Sequence, residues 1–359
     1  MLGVLFGVDS MIKKIFFAVL MLQSLLAPGQ YDFAIYHDGD TGAWEDGIVA
    51  FEHFLDWKGI THNRVTAQDI NTIVLKDFYT AIYFPGGDAD YYSADINSTG
   101  ILHIQDLISD NGAYIGMCAG AEFACDKLIW QGIEIDYPLD LFQGKAIGPI
   151  DELAIWPDYS MTTLSMNLDD EINQFETENE DMLYWGGTFF SAYASTDIDT
   201  IATFDGFYNK PAIIKFTYGN GRVLLISPHP EIEEDSIRDG VNVAEELDDN
   251  GSDWNFLWTA TDWLLGNPLT EPNPLQILPQ SNNPPITIYP NPTKNILNIS
   301  TGNHQKIEKI TIYNQIGQKI LDPKSINKSI DLTGFPNGMY LVEIEINGKK
   351  SRKKLLIVR

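Results

Sequence analysis

Six prolines within residues 266–285 divide the chain into two parts. A stretch this rich in proline favours an extended, semi-rigid linker, so no helix or strand is expected to continue through it. The charge changes sign at the same place, because the net charge is −34 up to residue 280 and +7 beyond it. We therefore predict a linker over 266–285 between an acidic body (30–265) and a basic tail (286–359).

The N-terminal segment has the pattern of a secretory signal peptide. Two lysines precede an apolar run of 12 residues (15–26), and small residues follow it. That run is shorter than the roughly 18 apolar residues that span a bilayer, so the alternative of an uncleaved anchor is less favoured. We predict a signal peptide over 1–29 and no transmembrane segment in the mature protein. Met11 is a more natural start than the first residue, which would make residues 1–10 an overcalled extension.

The composition supports a packed core and excludes several classes of protein. Hydrophobic residues make up 44% of the chain and charged residues 20%, which is typical of a folded protein. Two cysteines are too few for a disulfide scaffold. The acidic body repels phosphate backbones, so no nucleic-acid partner is predicted.

Strand-like and helix-like runs alternate through the body. Strand-like runs at 81–84, 114–117 and 223–227 each end at a turn, and residues 119–128 are among the helix-like runs. This alternation predicts an α/β domain with a mostly parallel sheet. In such folds the functional site lies at the carboxyl ends of the strands.

A cysteine stands where one of these strands gives way to a helix-like run. Cys118 lies in the sequence Gly-Met-Cys-Ala-Gly (116–120), whose glycines permit a tight turn. A helix N-terminus behind the turn stabilises a thiolate, and the Ala119 amide could bind an oxyanion. Cys118 is therefore a candidate nucleophile, with a buried structural cysteine as the alternative.

A histidine and a glutamate follow a later strand in the sequence Ser-Pro-His-Pro-Glu (227–231). A catalytic cysteine needs a base, and the base needs an acceptor that orients its ring. We predict these roles for His229 and Glu231. A loop histidine or part of a zinc site are the alternatives, but the other five histidines have no ligand spacing. No metal and no cofactor are therefore predicted.

A glycine pair follows the strand-like run at 81–84. Such a pair can turn its amides inward and complete an oxyanion hole, although an ordinary turn is the alternative. Gly86, Gly87 and Asp88 are therefore candidate oxyanion-binding and substrate-binding residues, together with Ala119.

Along the chain, a strand that ends in Gly-Gly is followed by Gly-x-Cys-x-Gly and then by His-Pro-Glu. This order resembles the class I glutamine amidotransferase-like superfamily, and within it the family named for the N-terminal domain of biotin-protein ligase. The matching residues are 84–88, 111–123 and 229–231, with supporting pieces at 141–149, 185–187 and 210–215. The resemblance covers nearly the whole body. It implies a flavodoxin-like sheet with helices on both faces and a triad of Cys118, His229 and Glu231. Ala119, where the protease-like branch of the superfamily has histidine, argues against that branch.

The resemblance implies an enzyme acting on a carbon–nitrogen amide bond. We recognise no biotin-ligase catalytic domain and no synthetase domain that would receive ammonia. We therefore predict an exported cysteine-dependent hydrolase whose partner is a small-molecule or peptide amide substrate. The alternatives are a non-catalytic surface binding module on the same fold and, less favoured, a cysteine peptidase.

The tail reads as short strands separated by turns, which predicts a small antiparallel β-sandwich. It resembles the type A C-terminal sorting domain of the type IX secretion system at residues 289–292, 310–321, 332–340 and 349–359. The resemblance implies the type IX machinery as a partner. It also implies export through the periplasm and outer membrane, followed by release or attachment to the cell surface.

Overall fold

The computed structural model describes most of the body and much of the tail. The described residues are 31–39, 41–234, 237–247, 251–272, 286–301, 306–314, 318–321, 328–346 and 349–358. The predicted signal peptide (1–29) lies outside them, as do residues 273–285 of the predicted linker.

The body contains helices and strands in alternation. Its helices are α1 (Glu45–Lys58), α2 (Ala67–Thr72), α3 (Ala89–Asp95), α4 (Ser98–Ser109), α5 (Ala119–Phe123) and α6 (Trp254–Leu265). Its strands are β1 (Tyr31–Tyr36), β2 (His62–Val65), β3 (Tyr79–Phe84), β4 (Ala113–Met117), β5 (Cys125–Trp130), β6 (Ile133–Asp136), β7 (Phe142–Gly148), β8 (Ser160–Met166), β9 (Asn179–Tyr184), β10 (Phe189–Ala192), β11 (Asp199–Phe204), β12 (Lys210–Tyr218) and β13 (Gly221–Ile226).

Nine strands of the described chain form one sheet in the order β2-β1-β3-β4-β13-β12-β11-β8-β9. The first five of these strands pair in parallel, and the other four are added by antiparallel pairing. The prediction of an α/β domain with a mostly parallel sheet is confirmed. Helices on both faces of that sheet remain a prediction.

Strands β3, β4 and β13 place the sequence motifs together. They are neighbours in the sheet and run in the same direction, so their carboxyl ends meet at one edge. β4 is buried along its whole length, which accounts for an apolar run without polar alternation. The glycine pair, the cysteine and the histidine each follow one of these three strands.

The helix-like run at 119–128 is only partly helical. Helix α5 ends at Phe123, and β5 begins at Cys125. β5 pairs with β7 in parallel and with β6 through a two-residue hairpin in which Gln131 and Gly132 both have positive φ. These pairings form a second sheet in the order β10-β7-β5-β6, and they override the local helical preference.

The tail forms two antiparallel sheets. Its strands are β14 (Ile286–Tyr289), β15 (Ile296–Thr301), β16 (Lys309–Asn314), β17 (Lys319–Leu321), β18 (Ser329–Asp331), β19 (Gly338–Ile346) and β20 (Lys349–Ile357). They are ordered β14-β15-β18 and β17-β16-β19-β20, and buried aliphatic residues from both sheets share one core. The predicted small antiparallel C-terminal sheet is confirmed. Among the described residues, no helix of either part is long and apolar enough to cross a membrane.

Candidate active site

Cys118 occupies a sharp turn between β4 and α5. Its backbone has φ +47° and ψ −113°, a conformation that residues with a side chain rarely adopt. The flanking glycines are required by close backbone contacts. A Cβ on Gly116 would lie 2.5 Å from the carbonyl oxygen of Gly120, and a Cβ on Gly120 would lie 2.1 Å from that of Phe84. The Gly-x-Cys-x-Gly pattern is therefore set by packing around the turn.

The backbone of the turn is held on both sides. The Cys118 amide donates to the carbonyl of Ile226 in β13 at 2.8 Å. The Cys118 carbonyl accepts from the amides of Ala121 and Glu122 at 2.9 and 3.0 Å and so begins helix α5. Cys118 as a whole is 9% exposed, and its thiol lies 3.8 Å from the carbonyl oxygen of Trp185, to which it donates.

His229 and Glu231 form a buried pair beyond the end of β13. The Nδ1 atom of His229 lies 2.9 Å from Oε1 of Glu231, and the two residues are 2% and 0% exposed. The His229 amide donates to the carbonyl of Leu183 at 2.9 Å, and the Trp254 indole donates to the Glu231 carbonyl at 3.0 Å. These bonds fix the backbone on either side of the pair.

The pair holds a proton strongly. Burial lowers the pKa of His229. The Glu231 charge and the Cys118 side chain outweigh this effect and raise the pKa from 6.5 to about 10. Glu231 therefore stabilises the protonated form of the imidazole and orients the ring through Nδ1.

The glycine turn after β3 lies directly against these groups. A Cβ on Gly86 would lie 2.7 Å from Cε1 of His229 and 3.5 Å from Cβ of Cys118. Gly87 has φ +135°, and a Cβ there would lie 2.0 Å from the carbonyl oxygen of Gly42. The structure thus brings the glycine turn after β3 and the histidine after β13 next to Cys118.

Two backbone amides in the turns beside Cys118 have no hydrogen-bond partner among the described residues. Gly87 opposes Ala43 in an antiparallel bridge whose hydrogen bonds are made by their neighbours, so the Gly87 amide points away from that partner. Ala119 is the first residue of α5, where an amide has no partner within the helix. Among the described residues, neither amide has a hydrogen-bond partner.

Asp88 is placed differently from the two glycines before it. Its amide donates to the carbonyl of Gly42 at 2.9 Å, and its carboxylate caps helix α3 by accepting from the Asp90 amide at 3.0 Å. The Asp88 amide is therefore not free to bind an oxyanion. Its side chain remains beside the site as a negative charge.

Sequence reasoning assigned no role to two residues near the thiol. The Trp44 ring meets the His229 ring edge to face, with centroids 5.0 Å apart, and a second such contact joins it to Trp185. Nothing in the sequence around Trp44 marks this position. Glu122 is 5% exposed, and burial together with the charges of Asp88 and Asp90 raises its pKa to about 8. The Glu122 amide donates to the Cys118 carbonyl at 3.0 Å, but nothing in the sequence marks this glutamate as buried.

A metal centre has no support in the part of the chain that the structure describes. No group of three or more His, Cys, Asp or Glu residues there is arranged to hold a metal ion.

Two families match the chain in succession. The family described as "Biotin-protein ligase, N terminal" matches residues 63–253, which is more than half of the chain. The family described as "Secretion system C-terminal sorting domain" matches residues 287–358. This sorting domain, of the type IX secretion system, indicates that the protein is exported and is then secreted or attached to the cell surface.

Relatives of known sequence align with part of the body. A biotin–protein ligase of Schizosaccharomyces pombe is 24% identical over 158 residues, which are 42% of this chain and 25% of that protein. An uncharacterized protein of Chlamydia muridarum is 28% identical over 156 residues, which are 42% of this chain and 60% of that protein. The chain therefore spans less than two thirds of the length of either relative.

Solved structures show a distant likeness. A crystal structure titled glutamine amidotransferase has a TM-score of 0.43 and 13% identity, covering 65% of this chain and 98% of that one. A putative GMP synthase subunit from Thermoplasma acidophilum has a TM-score of 0.37 and 14% identity, covering 58% and 90%.

Proposed function

The chain belongs to the family described as biotin-protein ligase, N terminal, and we propose that it is an exported cysteine-dependent hydrolase of a carbon–nitrogen amide bond. The observation that carries this proposal is the placement of Cys118. It stands in a strained turn at a helix start, and both Cys118 and His229 of the buried His229–Glu231 pair lie close to the position that a Cβ on Gly86 would take. This is the nucleophile, base and orienting acceptor that acyl transfer needs.

The first half of the reaction forms a thioester. His229 takes the Cys118 thiol proton as the sulfur attacks the carbonyl carbon, and the negative charge that develops on the carbonyl oxygen is stabilised by the amides of Ala119 and Gly87. The tetrahedral intermediate collapses as the carbon–nitrogen bond breaks. The His229 imidazolium gives its proton to the leaving amine, while Glu231 holds the ring.

The second half of the reaction regenerates the thiol. Neutral His229 takes a proton from water as the water oxygen attacks the thioester carbon. The carbon–sulfur bond then breaks, the carboxylic acid leaves, and the proton returns to the Cys118–His229 pair. No oxidant, metal or cofactor enters this balance.

Selective alkylation tests the nucleophile within the full-length chain. Cys125 is an internal control, because it is fully buried, donates to the Ala121 carbonyl at 3.3 Å, and has a pKa raised by burial. We expect iodoacetamide to modify Cys118 at least tenfold faster than Cys125 at pH 7, as followed by mass spectrometry. His229→Ala should remove that difference.

A panel of small amides and unstructured peptides then tests turnover, with Cys118→Ala as the inactive control. A slow Cys118 thiol would overturn the proposal and favour a non-catalytic surface binding module. Cleavage restricted to unstructured peptides would narrow the activity to that of a cysteine peptidase.

A further inference from the structure

Trp44 is a half-buried aromatic residue that contacts His229, and the proposed reaction assigns it no role. Its ring and the imidazole are nearly perpendicular, with an interplanar angle of 86°. Trp44 stands immediately before helix α1, and its backbone amide donates to the Gly86 carbonyl at 2.8 Å. The indole is therefore attached to the same glycine turn that borders the imidazole.

Two glycines leave the space that the Trp44 ring occupies. A Cβ on Gly47, in the first turn of α1, would lie 2.8 Å from Cε3 of the indole and 3.1 Å from Oε1 of Glu231. A Cβ on Gly86 would lie 3.5 Å from the same Cε3 atom. Alanine is intrinsically favoured over glycine in a helix, so the absence of a side chain at position 47 serves packing. It lets the indole approach the His229–Glu231 pair.

Trp44 also replaces the usual cap of a helix. It is the N-cap residue of α1, and its side chain makes no capping hydrogen bond. Serine, threonine, aspartate and asparagine are preferred at this position because a side-chain oxygen accepts from the amides of the first turn. An indole can only donate, so it provides none of that stabilisation. What it provides instead is ring contact with His229 and Trp185.

The hydrogen bond to Glu231 alone does not fix the imidazole. It holds the ring at Nδ1, 2.9 Å from Oε1, and leaves the ring able to pivot about that bond. The Gly86 backbone borders the ring near Cε1, and the indole borders it on another side. A base must stay within hydrogen-bond reach of the group whose proton it takes, so these borders bear on the activation of Cys118.

We propose that Trp44 is a positioning residue, whose indole keeps the His229 imidazole in place between Glu231 and Cys118. This inference rests on the proposed function, because it concerns the base of the same thiol. A thiol next to an imidazolium is held as the reactive thiolate at lower pH than a free cysteine. Loss of the indole should therefore weaken the activation of Cys118 without removing the nucleophile.

The pH dependence of alkylation tests this inference without requiring a substrate. The Cys118 sulfur displaces iodide from iodoacetamide, and mass spectrometry follows the reaction in the full-length chain from pH 5 to pH 10. If the imidazole activates the thiol, the midpoint of the rate profile lies below the roughly 8.5 of a free cysteine. The other titratable groups that face Cys118 and His229 from the surrounding elements stay the same in every variant: Tyr83, Tyr92, Glu122, Tyr184 and Glu231.

Trp44→Leu should lower the alkylation rate at pH 7 by about tenfold or more and raise the midpoint of the profile towards 8.5. Trp44→Phe keeps a flat ring and should stay within about threefold of the wild-type rate. Trp263→Leu is the matched control. Trp263 is also half-buried, but it packs against Arg222 at the amino end of β13, whereas His229 follows the carboxyl end.

Gly47→Ala is a second variant, which displaces the indole without removing it. The helical backbone of α1 accepts alanine, and the added methyl group must move the Trp44 ring. We expect a midpoint between those of the wild type and Trp44→Leu. Urea denaturation checks that each variant is folded, and Gly47→Ala decides the question if Trp44→Leu does not fold.

The outcomes separate the two proposals. A folded Trp44→Leu chain with the wild-type midpoint, or a Trp44→Phe chain as impaired as Trp44→Leu, overturns the role of the Trp44 ring and leaves the hydrolase intact. A midpoint that Trp263→Leu shifts equally also overturns that role. A wild-type Cys118 with the profile of a free cysteine overturns the hydrolase, and the role of Trp44 falls with it.

Discussion

Gly86 and His229 are packed so closely that no side chain fits between them. A Cβ atom on Gly86 would lie 2.7 Å from Cε1 of the imidazole, which is closer than real Cβ contacts come. The turn after β3 therefore fixes the side of the imidazole that faces Cys118. Position 86 must be glycine for the ring to stay where Glu231 holds it.

Gly86→Ala is expected to disable the site while the protein stays folded. The added methyl group must displace the His229 ring, and misplacement of a catalytic group by about 1 Å can lower a rate roughly 100-fold. We expect kcat/KM on any amide substrate, and the rate of Cys118 alkylation at pH 7, to fall by ten- to 100-fold. The expected loss of stability is about 1–3 kcal/mol.

Gly206→Ala is the matched control for that substitution. A Cβ at Gly206 meets only the Leu153 side chain at an ordinary 3.4 Å. Equal alkylation rates in the two variants would contradict the inference that Gly86 positions His229.

Glu231→Gln is expected to release the proton that His229 holds. Burial alone lowers the pKa of the imidazole, and the Glu231 charge is a main reason that the pKa is instead raised to about 10. Without that charge the pKa should fall towards or below its ordinary value of 6.5. The proton on Cε1 of His229 reports this in an NMR titration, with the signal assigned by its loss in His229→Gln.

Glu245→Gln, which changes an exposed carboxylate of the same loop region, should leave the His229 titration unchanged. A His229 pKa that stays near 10 in Glu231→Gln would show that another group holds the proton.

The sequence could predict where the motifs lie, but not everything that surrounds them. The turns after β3, β4 and β13 are marked by Gly86, Cys118 and His229, since apolar runs that end in such residues indicate buried strands. Their meeting at one edge follows from parallel strand order. Trp44 could not be predicted, because only tertiary packing brings it to a histidine 185 positions later in the chain.

The run at 119–128 shows a second limit. Its first residues are helical, but Cys125 begins a strand that pairs with Phe142 and the residues after it. Local propensity favours continuing the helix, and only the partner strand decides otherwise. For the same reason the sequence suggested a role for the turn around Cys118 but none for Glu122, whose burial depends on its surroundings.

Arg64→Met is expected to reduce stability and leave the site intact. Arg64 binds both carboxylate oxygens of Glu52 at 2.8 Å, and Glu52 is 5% exposed. Removing the arginine leaves a buried carboxylate without its partner, which costs about 3 kcal/mol. We expect a lower denaturation midpoint at pH 7 with an unchanged rate of Cys118 alkylation.

The pH dependence of stability and a double variant test whether the Arg64–Glu52 pair explains the loss. Burial raises the pKa of Glu52, but the hydrogen bonds and charge of Arg64 lower it below 4.5 overall. The stabilisation of the folded protein by this pair is therefore present above pH 4.5 and is lost as the pH falls below it. The deficit of Arg64→Met should therefore shrink towards pH 4. Arg64→Met combined with Glu52→Met should recover most of the stability, and a double variant as unstable as the single one would contradict the explanation.

Glu122→Gln is expected to stabilise the protein increasingly as the pH rises. Burial and the neighbouring charges raise the pKa of Glu122 from 4.5 to about 8, so the folded chain keeps this proton more tightly than the unfolded chain does. Its contribution to stability is complete below pH 4.5 and is lost as the pH rises through 8. Gln resembles the protonated acid at every pH, so the free energy of unfolding of the variant minus that of the wild type should grow between pH 5 and pH 8 by an amount on the order of 3 kcal/mol.

Urea denaturation at pH 5, 6.5 and 8 measures the difference, with the exposed Glu271→Gln as the control. A difference that stays constant, or that falls as the pH rises, would mean that Glu122 is ionised in the folded protein at neutral pH.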